Sequence, residues 1–264
     1  MRPPALVLAL VLALVAAGCA SPKRERGLPD GIAVLGDSIS RATNVQGDSF
    51  GDQPLHSWAT GNDANDPVLS HFERLKALDP SLDVVAFNDA RPGARMADMQ
   101  QQAREAAKQR ARYVVVLLGA NDVCAGTAIS EFSAELHTGA AALAELDATV
   151  LVASVPDVPE LVELYGDNAT ARAVWSAFDV CPRVLARGAD LAAARALIDA
   201  YDAALRDEAQ ARGWMWDGGA VHDVAYERAD VSTVDYFHPS LAGQARLAEA
   251  TWNAGPYARW PAHT

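Results

Sequence analysis

Positive charge is scarce in this chain of 264 residues, where 22 lysines and arginines stand against 34 aspartates and glutamates. No basic block is long enough to track phosphates, which argues against nucleic acid as a partner. The acidity reads instead as a soluble surface. Cysteine is rarer still, with three in the whole chain. Long apolar runs are confined to the N-terminus: the thirteen residues from Ala5 to Ala17 are too few to span a bilayer, and no later stretch is long and apolar enough to do so. The carboxylates and histidines show no metal-ligand cluster of recognisable spacing, so neither a metal nor a cofactor is expected. No internal repeat and no second domain is legible.

What is present begins with an export-like N-terminus. Arg2 precedes the apolar run, and Gly18-Cys19 follows it, as in a signal segment. Small residues before a cysteine resemble the bacterial lipobox, in which that cysteine becomes the lipidated first residue. Ala16 stands three positions before Cys19, where leucine is usual, and ordinary cleavage after Ala17 or Ala20 is the alternative. The expectation is a signal peptide over residues 1–18, a lipidated Cys19 and tether over 19–30, and a folded domain over 31–260. The protein would then be exported, either membrane-anchored through Cys19 or secreted. The two remaining cysteines, Cys124 and Cys181, form a leftover pair, and an oxidising compartment favours a disulfide between them. Two separate buried thiols are the alternative.

Half of the chain is hydrophobic, enough for one sizeable core. Continuous apolar runs recur at Ile32–Leu35, Asp83–Phe87, Tyr113–Leu118 and Thr149–Ala153, with a weaker one at Trp214–Trp216. Runs without alternation suit strands buried on both faces. Between them lie helical stretches at Pro67–Leu78, Arg95–Arg110, Glu131–Leu146 and Ala189–Ala211, and Leu241–Trp252 closes the chain. This alternation predicts an α/β fold: a central parallel sheet of about five strands with helices on both faces. Ser40–Asp66 and Pro156–Arg187 read as long irregular stretches, a usual mark of function.

In an open parallel sheet the site lies at the carboxyl ends of the strands. The first strand runs into Gly36-Asp37-Ser38, and the second into a loop that reaches Gly93. The third runs into Gly119-Ala120-Asn121-Asp122, and beyond the fifth comes Asp235-Tyr236-Phe237-His238. A serine hydroxyl is a poor nucleophile until a base takes its proton. His238 is a candidate base, and Asp235, three residues earlier, can orient its imidazole. The backbone N–H groups of Ser38 and Gly93 and the side-chain amide of Asn121 can serve as oxyanion donors, and Ser38 is expected to open a helix whose N-terminus favours negative charge. Each block alone is an ordinary turn or surface pair; the four in order at successive strand ends point to acyl transfer. Asp37 and Asp122 read as braces of their loops. His222-Asp223 reads as surface, and Arg91 and Arg95 as surface arginines beside a helix start. The G-x-S-x-G elbow is absent, since residues 36 to 40 read GDSIS.

These four blocks resemble the SGNH or GDSL hydrolases, in the family's order, from about Gly31 to Trp252. The resemblance implies a three-layer, flavodoxin-like fold, with Ser38 as nucleophile, Asp235 and His238 completing a triad, and Ser38, Gly93 and Asn121 in the oxyanion hole. Within that family, Ser57-Trp58-Ala59-Thr60-Gly61-Asn62-Asp63 is similar to a loop of the phospholipase B-type branch, as are Asn121-Asp122-Val123-Cys124 and Cys181-Pro182. That finer match implies an esterase acting on carboxylic esters, phospholipid and other lipid acyl esters among them, so a small-molecule or lipid ester is the expected partner. A carbohydrate O-acetyl esterase using the same residues is the alternative, and a non-catalytic glycolipid- or glycan-binding lipoprotein a further one. Trp58 is equally a core or lid anchor and a substrate contact on this evidence.

Overall fold

The computed structural model describes residues 27–47 and 50–261. The expected signal segment, Cys19 and most of the expected tether lie outside these residues. Five strands form one sheet: β1 (Gly31–Gly36), β2 (Val85–Asn88), β3 (Tyr113–Leu117), β4 (Thr149–Val152) and β5 (Met215–Trp216). Their order across the sheet is β2-β1-β3-β4-β5, and every pairing is parallel. β1 and β3 lie at the centre, with Ile32 opposite Tyr113 and Gly36 opposite Leu117. Every residue of both is buried, which is why their sequences are apolar without alternation.

The expectation of burial on both faces fails for β2. Val85 is 46 % exposed, because β2 is an edge strand with a partner on one side only. β5, the other edge, has two residues, both half-buried.

Nine helices join and flank the strands of the described chain: α1 (His71–Leu78), α2 (Met99–Gln109), α3 (Ala120–Ala125), α4 (Ile129–Leu143), α5 (Glu160–Tyr165), α6 (Ala169–Ala177), α7 (Pro182–Leu185), α8 (Leu191–Arg212) and α9 (Leu241–Ala254). α4 packs between α2 and α8, where the rings of Phe132 and Tyr201 stack with centroids 3.9 Å apart. α1 and α9 meet over Tyr113 of β3. There His71 lies 5.9 Å from the Tyr113 ring and edge-on to Trp58 and Trp252. Among the described residues no helix is long and apolar enough to cross a membrane.

Local chemistry moves several boundaries from their expected places. The first helix begins at His71 rather than Pro67. Ser70 caps it: the Glu73 N–H donates to Ser70 Oγ at 3.1 Å, and the Ser70 N–H donates to Glu73 Oε2 at 3.0 Å. The stretch from Pro156 to Arg187 is not irregular but holds α5, α6 and α7. Each is shorter than ten residues and is interrupted by Gly166-Asp167-Asn168 or by Cys181-Pro182, so helical periodicity never runs long enough to be read. No regular helix follows Ser38. The chain makes a knot of turns there, with the Arg41 N–H on Asp37 O and the Thr43 N–H on Ser38 O. Ala42 and Asn44 adopt left-handed φ values of 51° and 55°, which no right-handed helix accommodates.

Candidate active site

The carboxyl ends of the strands bring the predicted residues together. Ser38, 6 % exposed, follows β1 after one intervening residue. Its Oγ lies 2.8 Å from His238 Nε2, and His238 Nδ1 lies 2.6 Å from Asp235 Oδ2. Asp235 and His238 share a loop that closes on itself between β5 and α9: the Ser232 N–H donates to His238 O at 2.8 Å, and Val231 pairs with Pro239. The ring of Phe237 stands edge-on to the imidazole at 5.0 Å. Within this loop Asp235 Oδ1 accepts the N–H groups of Phe237 (2.9 Å) and His238 (3.0 Å). Burial opposes ionisation of Asp235. The hydrogen bonds and charge of His238, the Asn44 amide and the loop N–H outweigh it, and the carboxyl is held below the usual range.

Asn44, which the sequence does not single out, adjoins this pair. Its Nδ2 donates to Asp235 Oδ2 at 2.7 Å, the same oxygen that faces His238. Its remaining polar groups are also engaged. The Asn44 N–H donates to Gly51 O and the Gly51 N–H to Asn44 Oδ1, both at 2.8 Å, and Ser232 Oγ donates to Asn44 O. The one available signal was an asparagine in a Gly- and Asp-rich loop, since asparagine tolerates the left-handed φ seen here better than most residues.

The candidate oxyanion donors come from three strand ends. Gly93 follows β2 at φ 75° with open space around its Cα, so its backbone is free for close approach. The N–H groups of Ser38 and Gly93 take no part in the backbone hydrogen bonds that close the surrounding turns. Asn121 lies on α3 rather than in a loop. Its Nδ2 donates to Ala94 O at 3.0 Å and lies 3.4 Å from Asp37 Oδ2. The next residue grips the same segment from the other side, as the Met96 N–H donates to Asp122 Oδ2 at 2.9 Å. Asn121-Asp122 thereby clamps residues 94 to 96 and sets Gly93 against α3. Gly119 makes this placement possible. It stands at φ 128° against Val155, whose Cγ2 would lie 2.6 Å from any added Cβ, so α3 enters tightly past β4.

The two acids beside these residues brace loops, as expected. Asp37 Oδ1 accepts the Ile39 N–H at 2.9 Å. Burial pushes the Asp37 and Asp122 carboxyls up to about 6 each. Cys124, at the end of α3, is bonded to Cys181, which precedes α7; their Cα atoms are 4.7 Å apart. The free-thiol alternative does not hold. Arg91 and Arg95 are exposed. Trp58 is wholly buried, with its Nε1 donating to Ser40 Oγ at 3.2 Å and its N–H to Gln244 Oε1 at 2.9 Å, so it is a core anchor and not a substrate contact.

His222 is half-buried rather than on the surface. Its N–H donates to Ser154 Oγ at 2.9 Å, and its Nδ1 lies 3.8 Å from Asp202 Oδ2, a carboxyl that burial pushes up to about 7. Ser154 Oγ donates to Asp217 Oδ2 at 2.8 Å and also accepts the Val221 N–H. This second Ser, His, Asp group joins β4 to the chain beyond β5. Its hydroxyl is filled by backbone and carboxylate, so it offers no second nucleophile. Among the described residues no three His, Cys, Asp or Glu side chains are placed to hold a metal ion.

Solved structures share this architecture. TesA aligns at 21% identity and a TM-score of 0.56, covering 85% of this chain and 97% of its own. LAE5, an alpha/beta hydrolase enzyme from the metagenome of Lake Arreo, Spain, aligns at 19% identity and 0.56, covering 85% and 94%. A catalytic mutant of Axe2, an acetylxylan esterase from Geobacillus stearothermophilus, aligns at 17% identity and 0.54, covering 85% and 93%. At such identities the likeness shows the fold. No curated protein matches the chain. Residues 34–246 match the model of the GDSL-like lipase/acylhydrolase family, a span that holds every strand end described above, and the chain belongs to that family.

Proposed function

We propose that this chain is an exported serine esterase that hydrolyses carboxylic esters through an acyl-enzyme on Ser38. The observation that carries the reading is the hydrogen-bonded series from Ser38 Oγ through His238 to Asp235, beside three candidate oxyanion donors. Ser38 Oγ attacks the ester carbonyl carbon while its proton passes to His238 Nε2. The carbonyl oxygen becomes an oxyanion facing the N–H groups of Ser38 and Gly93 and the Asn121 amide. Its collapse breaks the bond to the alcohol oxygen, which takes the proton from His238. Water then attacks the acyl carbon, giving its proton to His238; the Ser38–acyl bond breaks, Ser38 regains a proton, and the carboxylic acid leaves. Asp235 stays ionised throughout and stabilises the imidazolium.

Export through residues 1–18, with a lipid on Cys19, completes the reading. The Cys124–Cys181 bond supports it, because such bonds persist in oxidising compartments. The phospholipase B-type likeness gives weaker support for a lipid substrate. Its Ser57-Trp58 element is buried framework here, with Ser57 Oγ accepting the Ala59 N–H at 3.3 Å. Steady-state hydrolysis by wild type and Ser38→Ala tests the central assignment. Turnover should vanish in the variant while its thermal unfolding matches wild type; retained turnover would place the nucleophile elsewhere.

A further inference from the structure

Beside Ser38 lies a small apolar cavity of about 40 Å³. It is walled by Ile39, which follows Ser38, by Ala120, which precedes Asn121, and by Phe237 and Pro239, which bracket His238. Val158 and Leu161, from the segment after β4, close the far side. The strand order gives the cavity its meaning. Gly93, after β2, stands on one side of Ser38, and the cavity stands on the other, toward β4. An ester carbonyl directing its oxygen to Gly93 and Asn121 therefore has this cavity available for the group on its acyl carbon.

We infer that this cavity is the acyl pocket and that the substrate is a short-chain ester, acetyl to butyryl, rather than a fatty acyl lipid. The inference rests on the assignment of Ser38 as nucleophile. The cavity is small, about 40 Å³, far below the roughly 300–1,000 Å³ of pockets that enclose a large ligand, so a short acyl group fits it and a fatty chain does not. The far wall is held in place. The Val158 N–H donates to Pro156 O at 2.8 Å, the Leu161 N–H donates to Val158 O at 3.2 Å, and Asp157 is paired with Arg195 of α8 at 3.1 Å. Glu160 and Tyr226 add polar groups to its lining. A larger cavity of about 340 Å³ lies around Arg172, Trp175, Pro182 and Leu185, but none of its walls adjoins Ser38, Asn121 or His238 in the chain.

The test is a series of p-nitrophenyl esters from acetate to decanoate, in which only the acyl chain changes. It is run on wild type, on Ser38→Ala as control, and on two separate variants that enlarge the far wall, Val158→Ala and Leu161→Ala. Wild-type kcat/KM should peak between acetate and butyrate and be at least about 10-fold lower for octanoate, the scale at which one misfitting methylene is felt. Each enlarging variant should raise the octanoate-to-acetate ratio several-fold. Wild-type preference for octanoate or decanoate would overturn the inference, as would ratios unchanged in both wall variants. Absence of Ser38-dependent hydrolysis across the series would instead overturn the esterase reading, and the pocket assignment with it.

Discussion

Asn44 and Asp235, 191 positions apart in the chain, are joined by a 2.7 Å hydrogen bond to the oxygen that also holds His238. On the proposed mechanism Asn44 is a positioning residue for the imidazole, since its amide donates to Oδ2 of the Asp235 carboxylate. Asn44→Gly removes the amide, and with it the bonds to Asp235 and to the Gly51 N–H, while glycine accepts the 55° φ without strain. The variant should fold and lose about 10- to 100-fold in kcat, the worth of a hydrogen bond to a charged group. With Oδ2 relieved of its second donor, Asp235 holds the imidazolium more strongly, so the acid limb of the kcat/KM profile should move to higher pH. A loss of rate with an unmoved limb would reduce Asn44 to a framework role.

Asn121→Ala removes one proposed oxyanion donor and the bond to Ala94 O. The donor's gain falls in the transition state, so kcat should drop by about 10²–10³ with KM little changed. Loss of the Ala94 bond should cost stability by about 1 kcal/mol. Steady-state kinetics with denaturant unfolding separates the two effects. A raised KM at unchanged kcat would place Asn121 in ground-state binding.

His71 links pH to stability far from the site. Its Nε2 lies 2.8 Å from Thr251 Oγ1 and its Nδ1 lies 3.0 Å from Tyr113 Oη. The Thr251 hydroxyl donates to Leu247 O, so it accepts from Nε2–H, and Nδ1 accepts from Tyr113. A protonated ring would set donor against donor. Burial pushes the His71 pKa down to about 3. The unfolded chain, near the ordinary 6.5, binds the extra proton first, so this contribution is full above about pH 6.5 and is lost as pH falls below it. Asp37 and Asp122, both raised to about 6, act in the opposite sense, favouring the folded state as pH falls through that value. The diagnostic quantity is therefore the stability difference between wild type and His71→Gln. It should shrink by about 2 kcal/mol between pH 7.5 and 5. A pH-independent difference in urea unfolding would contradict the neutral assignment.

The bond between Cys124 and Cys181 closes a separation of 57 residues, and the chain-entropy model assigns such a loop about 4 kcal/mol at most. Because Cys124 ends the helix that carries Asn121, reduction should lower both the melting temperature and kcat. A double Cys124→Ser, Cys181→Ser variant should reproduce both changes. Unaltered kcat in that variant would detach the disulfide from the proposed oxyanion site.

Much of this site is legible along the chain because Ser38 and Asn121 sit just beyond apolar runs and Asp235 and His238 keep a fixed spacing of their own. Ser38 follows the fully buried β1, Asn121 follows β3, and Asp235 and His238 are three apart on one loop. Asn44 escapes because its role arises from tertiary contact: nothing local distinguishes an asparagine that turns a loop from one that also reaches a carboxylate. α5, α6 and α7 escape because short helices have no repeated apolar stripe and depend on packing. The sequence leaves Trp58 open because a tryptophan in a Gly-rich loop serves equally at a surface or in a core, and burial alone separates the two. The edge position of β2 escapes because an apolar pattern does not say which strand lies at the sheet edge.

The most direct test of the central claim is to map the adduct of a serine-directed alkylphosphonate by peptide mass spectrometry. With Ser38 as nucleophile, one phosphonate per chain should be found, on the peptide containing Gly36-Asp37-Ser38, with activity lost in proportion. Ser38→Ala should carry none. A stoichiometric adduct on another serine, or full activity in a chain modified at Ser38, would contradict the account.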